Sequence, residues 1–310
     1  MTSILHFTVG NTLSGVIMMK KSLRHLTASL FLCVLALLDN LMLFLGLLRL
    51  WLHNRYSIDL YYSNFGCKLQ MFLAYFTAQE CAWVIVCLTM ERLICVVMPH
   101  KAKHIATRKN AAILLVVVTI VLTAINAHNF ETIESLETDN SSSVCNNKPK
   151  FDVFYWEVWP WIDFMLLSIL PFSIMCISNL TIIVSVAKSK FQHLKSQVST
   201  KLKLKGMTVI LLLVSLMFIF TTVPLPIFLV MQKFWYEDAF FTDETLAYLD
   251  MWWAIVVNIS YLNNTCNFFL HILSSRRFRK EVVNLFAFPN KVQPVIITYE
   301  NSPGEALQRN

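Results

Sequence analysis

The sequence predicts an all-α membrane protein built as a bundle of seven transmembrane helices, and three observations predict it. First, 56% of the 310 residues are hydrophobic and only 15% are charged, where a soluble domain carries about 25% charged residues. Second, the apolar residues gather into seven runs, roughly 3–19, 26–51, 65–98, 106–128, 157–187, 203–231 and 246–273; a helix needs about 20 such residues to cross the hydrocarbon core. Third, the connections alternate in charge. With the N-terminus outside, the inner ones hold Lys20, Lys21 and Arg24, then Lys101, Lys103, Arg108 and Lys109, then Lys188 to Lys205, then Arg276 to Lys280. The outer ones hold mainly acids: Asp59, Glu131, Glu134, Glu137, Asp139, Asp152, Glu157, Glu237, Asp238, Asp243, Glu244 and Asp250. Short loops rich in Lys and Arg stay cytoplasmic, so the C-terminus is expected inside. The net charge of +7 then describes a cytoplasmic face meeting anionic lipid, not a nucleic-acid footprint.

The first run is the weakest. Nineteen residues make about 28 Å of helix, barely a span, so either this helix is short or the true N-terminus lies upstream. No cleavable signal peptide is visible. The second run, LFLCVLALLDNLMLFLGLLRLW, holds a single acid, Asp39, near the bilayer middle. A lone intramembrane carboxylate is a functional candidate by default; the plainer alternative is a protonated acid bonded to backbone. Arg49, near the outer end, either snorkels or points into a cavity as an anion anchor.

The third run starts at Cys67 and ends on Glu91-Arg92-Leu93. Arg92 follows Cys67 by twenty-five residues, and Pro99 follows Arg92 by seven. This three-point spacing resembles the third transmembrane helix of rhodopsin-like (class A) G-protein-coupled receptors, whose motif is Asp/Glu-Arg-Tyr. The resemblance covers about residues 9–285. It implies a receptor domain over 1–288 with a short amphipathic eighth helix, followed by a polar, disordered cytoplasmic tail over 289–310. It also implies a two-state bundle in which the sixth helix swings outward and Arg92 passes from Glu91 to a crevice for a heterotrimeric G protein, with arrestin as a further partner.

Of eight cysteines, Cys67 and Cys145 alone fall at or near the outer surface. The family's typical disulfide would join them, tying the second outer loop to the third helix. Gly10-Asn11 resembles the family's first-helix Asn. Leu35-Ala36-Leu37-Leu38-Asp39 resembles Leu-Ala-x-x-Asp, whose acid lines a sodium and water cavity. The matching positions here are Cys81 (in place of serine), Asn263, Asn264 and Asn267, so the resemblance implies a sodium ion at Asp39. Ala74 stands eighteen residues before Arg92, where amine receptors have Asp; amine ligands are disfavoured. Gln79 and Glu80 sit at mid-helix, and at least one should face the bundle.

The fourth run lacks the family's tryptophan and proline. The stretch from His128 to Glu157 is acidic before Cys145 and aromatic after it, and Asn140-Ser141-Ser142 is a glycosylation acceptor on the outer side. In the fifth run Pro171 matches the family kink. Asp163, two turns outward, would bind a cationic ligand group or neutralise Arg49. Asn179, eight residues beyond Pro171, replaces a tyrosine. In the sixth, Phe218 and Pro224 keep the spacing of Phe-x-x-Cys-Trp-x-Pro, but Thr221 and Thr222 replace Cys-Trp. The proline bend survives; the aromatic toggle does not. The seventh holds Asn258, Ser260, Tyr261, Asn263, Asn264 and Asn267, too many polar groups for lipid, so they should find partners inside the bundle, Asp39 first. Phe268 and His271 replace the Pro and Tyr of Asn-Pro-x-x-Tyr. Asn179 and His271 can share a hydrogen bond, and because His titrates near neutral pH, signalling would follow cytosolic pH. Ser274 to Arg279 resembles the start of the eighth helix.

These features imply an extracellular peptide as ligand, received at the plasma membrane in a pocket drawn from Arg49, Ala74, Tyr75, Asp163, Leu225, Trp253 and Tyr261. The Asn-Phe form of the seventh-helix motif resembles invertebrate FMRFamide-like neuropeptide receptors, and the acidic outer rim suits basic peptides. The absence of lysine from the seventh run excludes a retinal-type receptor. A receptor for a lipid or small molecule is the alternative; a seven-helix transporter would show repeating halves, and none is visible. No catalytic constellation, phosphate-binding loop or metal-spaced cluster marks an enzyme.

Overall fold

The computed structural model describes residues 2–56, 63–137, 143–192, 215–237, 243–274 and 276–286. Asn140, most of the third inner loop, residues 203–214 of the sixth run and the tail beyond 286 lie outside the described residues. Helix α1 (Thr2–Met18) is followed by α2 (Thr27–Met42), which passes through a π-helical turn (Leu43–Leu48) into α3 (Arg49–Tyr56). Helix α4 (Asn64–Val97) is the longest, at 34 residues. Short α5 (Pro99–Ile105) leads to α6 (Arg108–Asn126) and α7 (Asn129–Thr132). An antiparallel hairpin of β1 (Ile133–Glu137) and β2 (Ser143–Asn147) follows, with Ser135 opposite Cys145. The fifth run is one rod: a π turn (Phe154–Val158), α8 (Trp159–Phe164), a second π turn (Met165–Ile169) and α9 (Leu170–Gln192). Then come α10 over 215–222, α11 (Pro224–Glu237), α12 (Asp243–Ser274) and α13 (Arg276–Phe286).

Among the described residues, three helical stretches are long and apolar enough to cross a membrane: Thr27–His53, Arg108–Thr132 and Phe154–Lys188. Helices α4 and α12 are as long but interrupt their apolar surface with amides and acids. The outward face of α6 is a sheet of Ile113, Val116, Val117, Ile120 and Val121, all exposed, as a lipid-facing helix requires.

Local chemistry fixes the ends. The Ser63 hydroxyl caps α4 by accepting from the Gly66 amide at 3.0 Å, and Thr107 caps α6 by accepting from Asn110 at 3.3 Å. Thr27 Oγ1 donates to the Ala106 carbonyl at 2.9 Å and the Arg108 guanidinium donates to the Arg24 carbonyl, so the first two inner connections hold each other. At the far end of the chain, Arg279 Nη1 donates to the carbonyls of Ile272 and Leu273 at 2.7 and 3.0 Å. It satisfies the last turn of α12, where a cation is also favoured by the helix dipole. Helix α13 is amphipathic, and its Phe278 is fully buried against Ile17, Met18 and Leu23.

The core lies where α2, α4 and α9 meet, around Phe31, Leu35, Ile85, Leu88 and Met175, with Phe218 of α10 packed in. Each of two π turns is served from α4. A π turn interrupts the i→i+4 ladder and frees a carbonyl. Gln70 Nε2 donates to Leu45 O at 2.7 Å in the second run, and Trp83 Nε1 donates to Leu166 O at 3.0 Å in the fifth. The first π turn also carries Gly46, and Tyr261 of α12 presses on it: a Cβ at Gly46 would sit 1.7 Å from the Tyr261 hydroxyl oxygen. Gly46→Ala is therefore expected to lower stability by about 1–3 kcal/mol through overpacking, and adding Tyr261→Ala to recover most of the loss, read as thermal unfolding of the purified protein.

Candidate functional site

Three adjacent residues at the middle of α4 are polar, and all are buried: Gln79, Glu80 and Cys81. Successive helix positions turn by about 100°, so between them the three reach α2, α6 and α8. Gln79 reaches two helices at once. Its Nε2 donates to Asp163 Oδ1 of α8 at 2.8 Å, and its Oε1 accepts from Asn126 Nδ2 of α6 at 2.8 Å. Glu80 Oε1 accepts from Thr119 Oγ1 of α6 at 2.8 Å. Cys81 Sγ lies 4.0 Å from Asp39 Oδ1 of α2. The expectation that at least one of Gln79 and Glu80 faces the bundle is exceeded, since both do.

A second polar cluster ties α1, α2 and α12. Asn267 Nδ2 donates to Asp39 Oδ2 at 2.7 Å, and Asp39 is wholly buried. Asn11 Nδ2 donates to the Asn264 carbonyl at 2.8 Å, and Asn263 Nδ2 approaches Asn264 Oδ1 at 3.4 Å. Beside this cluster Gly10 faces Phe268 at contact distance. Phe268 thus packs α12 onto α1 where relatives of the resembled family have proline.

At the outer end Cys67 and Cys145 form a disulfide with Cα atoms 5.6 Å apart. It fixes β2 to the first turn of α4. Below the hairpin, Tyr75 meets Trp159 edge-on with centroids 5.3 Å apart, and His128 lies 4.0 Å from the Trp159 ring. Ala74, Arg49 and Leu225 are half-buried. Trp253 is exposed and tilts against Phe228 at 5.7 Å. At the inner end Arg92 Nε lies 3.1 Å from Glu91 Oε2. Pro171 is buried at the start of α9, and Pro224 begins α11 directly after α10, so the helix of the sixth run is interrupted just before that proline.

Three expectations need correction. The hydrogen bond between Asn179 and His271 is not made: Asn179 Oδ1 has no hydrogen-bond partner, while the buried His271 ring sits 5.5 Å from the Phe278 ring. An amide is shorter than the tyrosine it replaces, and the imidazole has turned to the aromatic side, so the link through which pH was expected to act is missing. Next, Asp163 does not hold a charge partner in Arg49; its carboxylate is engaged by Gln79. Finally, Asn258 does not face inward. It is exposed, with its Nδ2 donating to the Ala254 carbonyl of its own helix at 2.7 Å.

Sequence reasoning missed Asn126, Thr119 and Trp83. Each lies in an apolar run without a motif around it. The one signal was a polar side chain with no lipid-compatible partner nearby in sequence.

Long apolar helices with buried polar clusters between them define a multi-pass helical membrane protein. The family model described as 7 transmembrane receptor (rhodopsin family) matches residues 11–270, and the chain belongs to that family. Membership implies G-protein-coupled signalling, with an extracellular ligand and a G protein as partners in general terms. A comparison with curated proteins found no match.

The Gln79 contacts set a stability test. Gln79→Leu leaves a buried Asp163 oxygen and an Asn126 N–H without their partner, for an expected loss of about 1–3 kcal/mol. Asp163→Leu in the same chain is expected to cost less than it does alone, a non-additivity that a double-mutant cycle of thermal unfolding measures.

Proposed function

We propose that this receptor is activated by an extracellular peptide bearing a basic group, and that it sits in the plasma membrane with its N-terminus outside. In this reading the helices form the full seven-span bundle, with α13 as the eighth helix along the inner surface. The observation that carries the ligand class is the acid Asp163. It is 3% exposed in the outer half of the fifth rod, positioned by Gln79 and lying one turn inward of Trp159. An intramembrane acid with an amide as its donor can still receive a cation. Ala74, at the place where an amine ligand would find its counter-ion on α4, argues for a ligand that brings its charge to the fifth helix instead. The disulfide-held hairpin and the Tyr75, Trp159 and His128 rings supply an aromatic vestibule, and the acidic outer loops favour the approach of a basic peptide. Arg92, paired to Glu91 at the inner end, is the group released toward the G protein when the sixth helix moves.

A sodium ion at Asp39 belongs to this reading. Among the described residues, Asp39 Oδ2 accepts from Asn267 and Oδ1 lies beside the Cys81 thiol, and Asn11 Oδ1 is buried without a partner. Carboxylate and amide oxygens are donors a hard cation accepts; a thiol is not. The set therefore fits a cation through its oxygens, with Asn263 and Asn264 beside it. A bound cation would supply the positive charge that Asp39 lacks.

Two measurements test these points. In cells expressing the full chain, a library of basic neuropeptides read through several G proteins should yield an agonist. Its potency should drop by about tenfold or more in Asp163→Asn, as expected for losing a charge-assisted contact. An agonist without any cationic group, unaffected by Asp163→Asn, would favour the lipid or small-molecule reading. For the cation, sodium chloride should raise the thermal stability of the ligand-free protein relative to N-methylglucamine chloride and lower agonist affinity, and Asp39→Asn should abolish both effects. Equal stability in the two salts rejects the site.

A further inference from the structure

We propose that the ligand carries a carboxylate as well as a basic group, and that Arg49 receives the carboxylate while Asp163 receives the base. The proposal rests on the cation reading of Asp163 given above and adds a second contact on another rod. Arg49 follows the π turn Leu43–Leu48 as the first residue of α3. It stands four residues after Leu45 and three after Gly46, and positions so spaced share one face of a helix. The contacts at those two residues say where that face looks. The Leu45 carbonyl is met by Gln70 of α4, and Gly46 is met by Tyr261 of α12. Arg49 therefore lies one turn further out on the side turned to α4 and α12, and it is half-buried. Of the two roles the sequence leaves open to it, this face selects the inward one.

The segments beside Arg49 bring no acid to this depth: α1 has none, α4 has none before Glu80, and α12 has none after Asp250. A guanidinium presents N–H donors in a planar fork that a carboxylate fits with two parallel bonds. Helix α4 also serves as a ruler between the two charges. Gln70 reaches the level of Leu45, and Gln79 reaches the level of Asp163. The two glutamines are nine residues apart, about 13 Å along the axis. Arg49 adds one further turn outward, about 6 Å. Both side chains then shorten the gap, because each leans toward the N-terminus of its own helix. That direction is inward for the second run and outward for the fifth. The charges stand roughly 10–15 Å apart, the span of about three to five residues of extended peptide. Between those levels α4 carries the small, half-buried Ala74, which leaves room for the chain that joins them. The carboxylate is a peptide C-terminus or an acidic side chain, and the two sources are separable by experiment.

The test uses the purified full-length receptor and a set of synthetic eight-residue peptides, acetylated at the N-terminus, with stabilisation against thermal unfolding as the readout. Each peptide carries one arginine. Two, four or six residues from it stands a free C-terminal carboxylate, a glutamate in an amidated peptide, or the neutral counterpart of either. Peptides with a carboxylate four residues away should stabilise the receptor at concentrations about tenfold or more below their neutral counterparts, as expected for a charge-assisted pair. The better of the two carboxylate forms identifies the source. Arg49→Gln should erase the difference. Arg49→Glu should turn it toward peptides with lysine at the carboxylate position, a gain that a misfolded variant does not produce. Asp163→Asn should weaken every arginine peptide alike. If Asp163→Asn weakens them but the carboxylate has no effect, or its effect survives Arg49→Gln, the cation reading stands and this proposal is overturned. If no peptide in the set stabilises the receptor, both fall.

Discussion

Hydrocarbon offers no hydrogen bonds, so backbone polar groups placed in it must be answered within the chain, and a side chain left unanswered there is costly. That constraint shapes this structure more than any single contact does, and α4 is where most of the answers come from. From one helix, Gln70 and Trp83 repair two interrupted backbone ladders, Gln79 joins the fourth and fifth rods, Glu80 joins the fourth again, and Cys81 faces Asp39 of the second. In water these bonds would each contribute modestly. In lipid the apolar surfaces gain little from leaving the solvent, so packing and such bonds decide which helix lies beside which. The third run is organised by its polar residues rather than by its apolar ones.

The π turns show how the constraint couples backbone to site. Widening a helix turn frees a carbonyl and re-aims the residues beyond it. In the second run the turn at Leu43–Leu48 carries Gly46, whose missing side chain lets Tyr261 close in. In the fifth run the turn at Met165–Ile169 separates Asp163 from the proline at 171. Each of the two has a carbonyl answered by a donor from α4, so the helix that carries Ala74 and Tyr75 also braces the rods beside it.

What could be read in the sequence follows from the range of the physics. Asp39 was legible because an isolated acid in an apolar run is expensive wherever it sits, and Asn267 was legible because a seventh run rich in amides must answer something. The Cys67–Cys145 bridge was legible through orientation and family resemblance together. The spans Thr27–His53, Arg108–Thr132 and Phe154–Lys188 were legible from composition alone. The partners of Gln79 were not: Asn126 and Asp163 lie 47 and 84 residues away, and nothing local distinguishes Asn126 from a residue facing lipid. The π turns were not legible either, since Leu-Phe-Leu-Gly-Leu-Leu is compatible with an ordinary helix. The Asn179–His271 contact failed because matching two positions to a motif fixes where side chains start, not how far they reach.

The departures from the family pattern cluster, and their clustering has a physical sense. Proline in the seventh run normally bends the helix and frees a carbonyl. Phe268 restores the backbone donor and fills the gap with a ring that packs on Gly10 and, at 6.0 Å, on Phe278. His271 joins the same group. What was a polar, water-linked hinge in relatives is therefore an aromatic lock between α1, α12 and α13. Such a lock moves as a block or not at all, because packed rings have discrete arrangements rather than a continuous range. The sixth run retains its proline at 224, and its Thr221 hydroxyl donates back to the Met217 carbonyl at 2.6 Å, a local bond that loosens the helix beside that proline. In the proposed reading the swing on activation falls at α10 and α11, beside a seventh run whose hinge position is filled by packed rings.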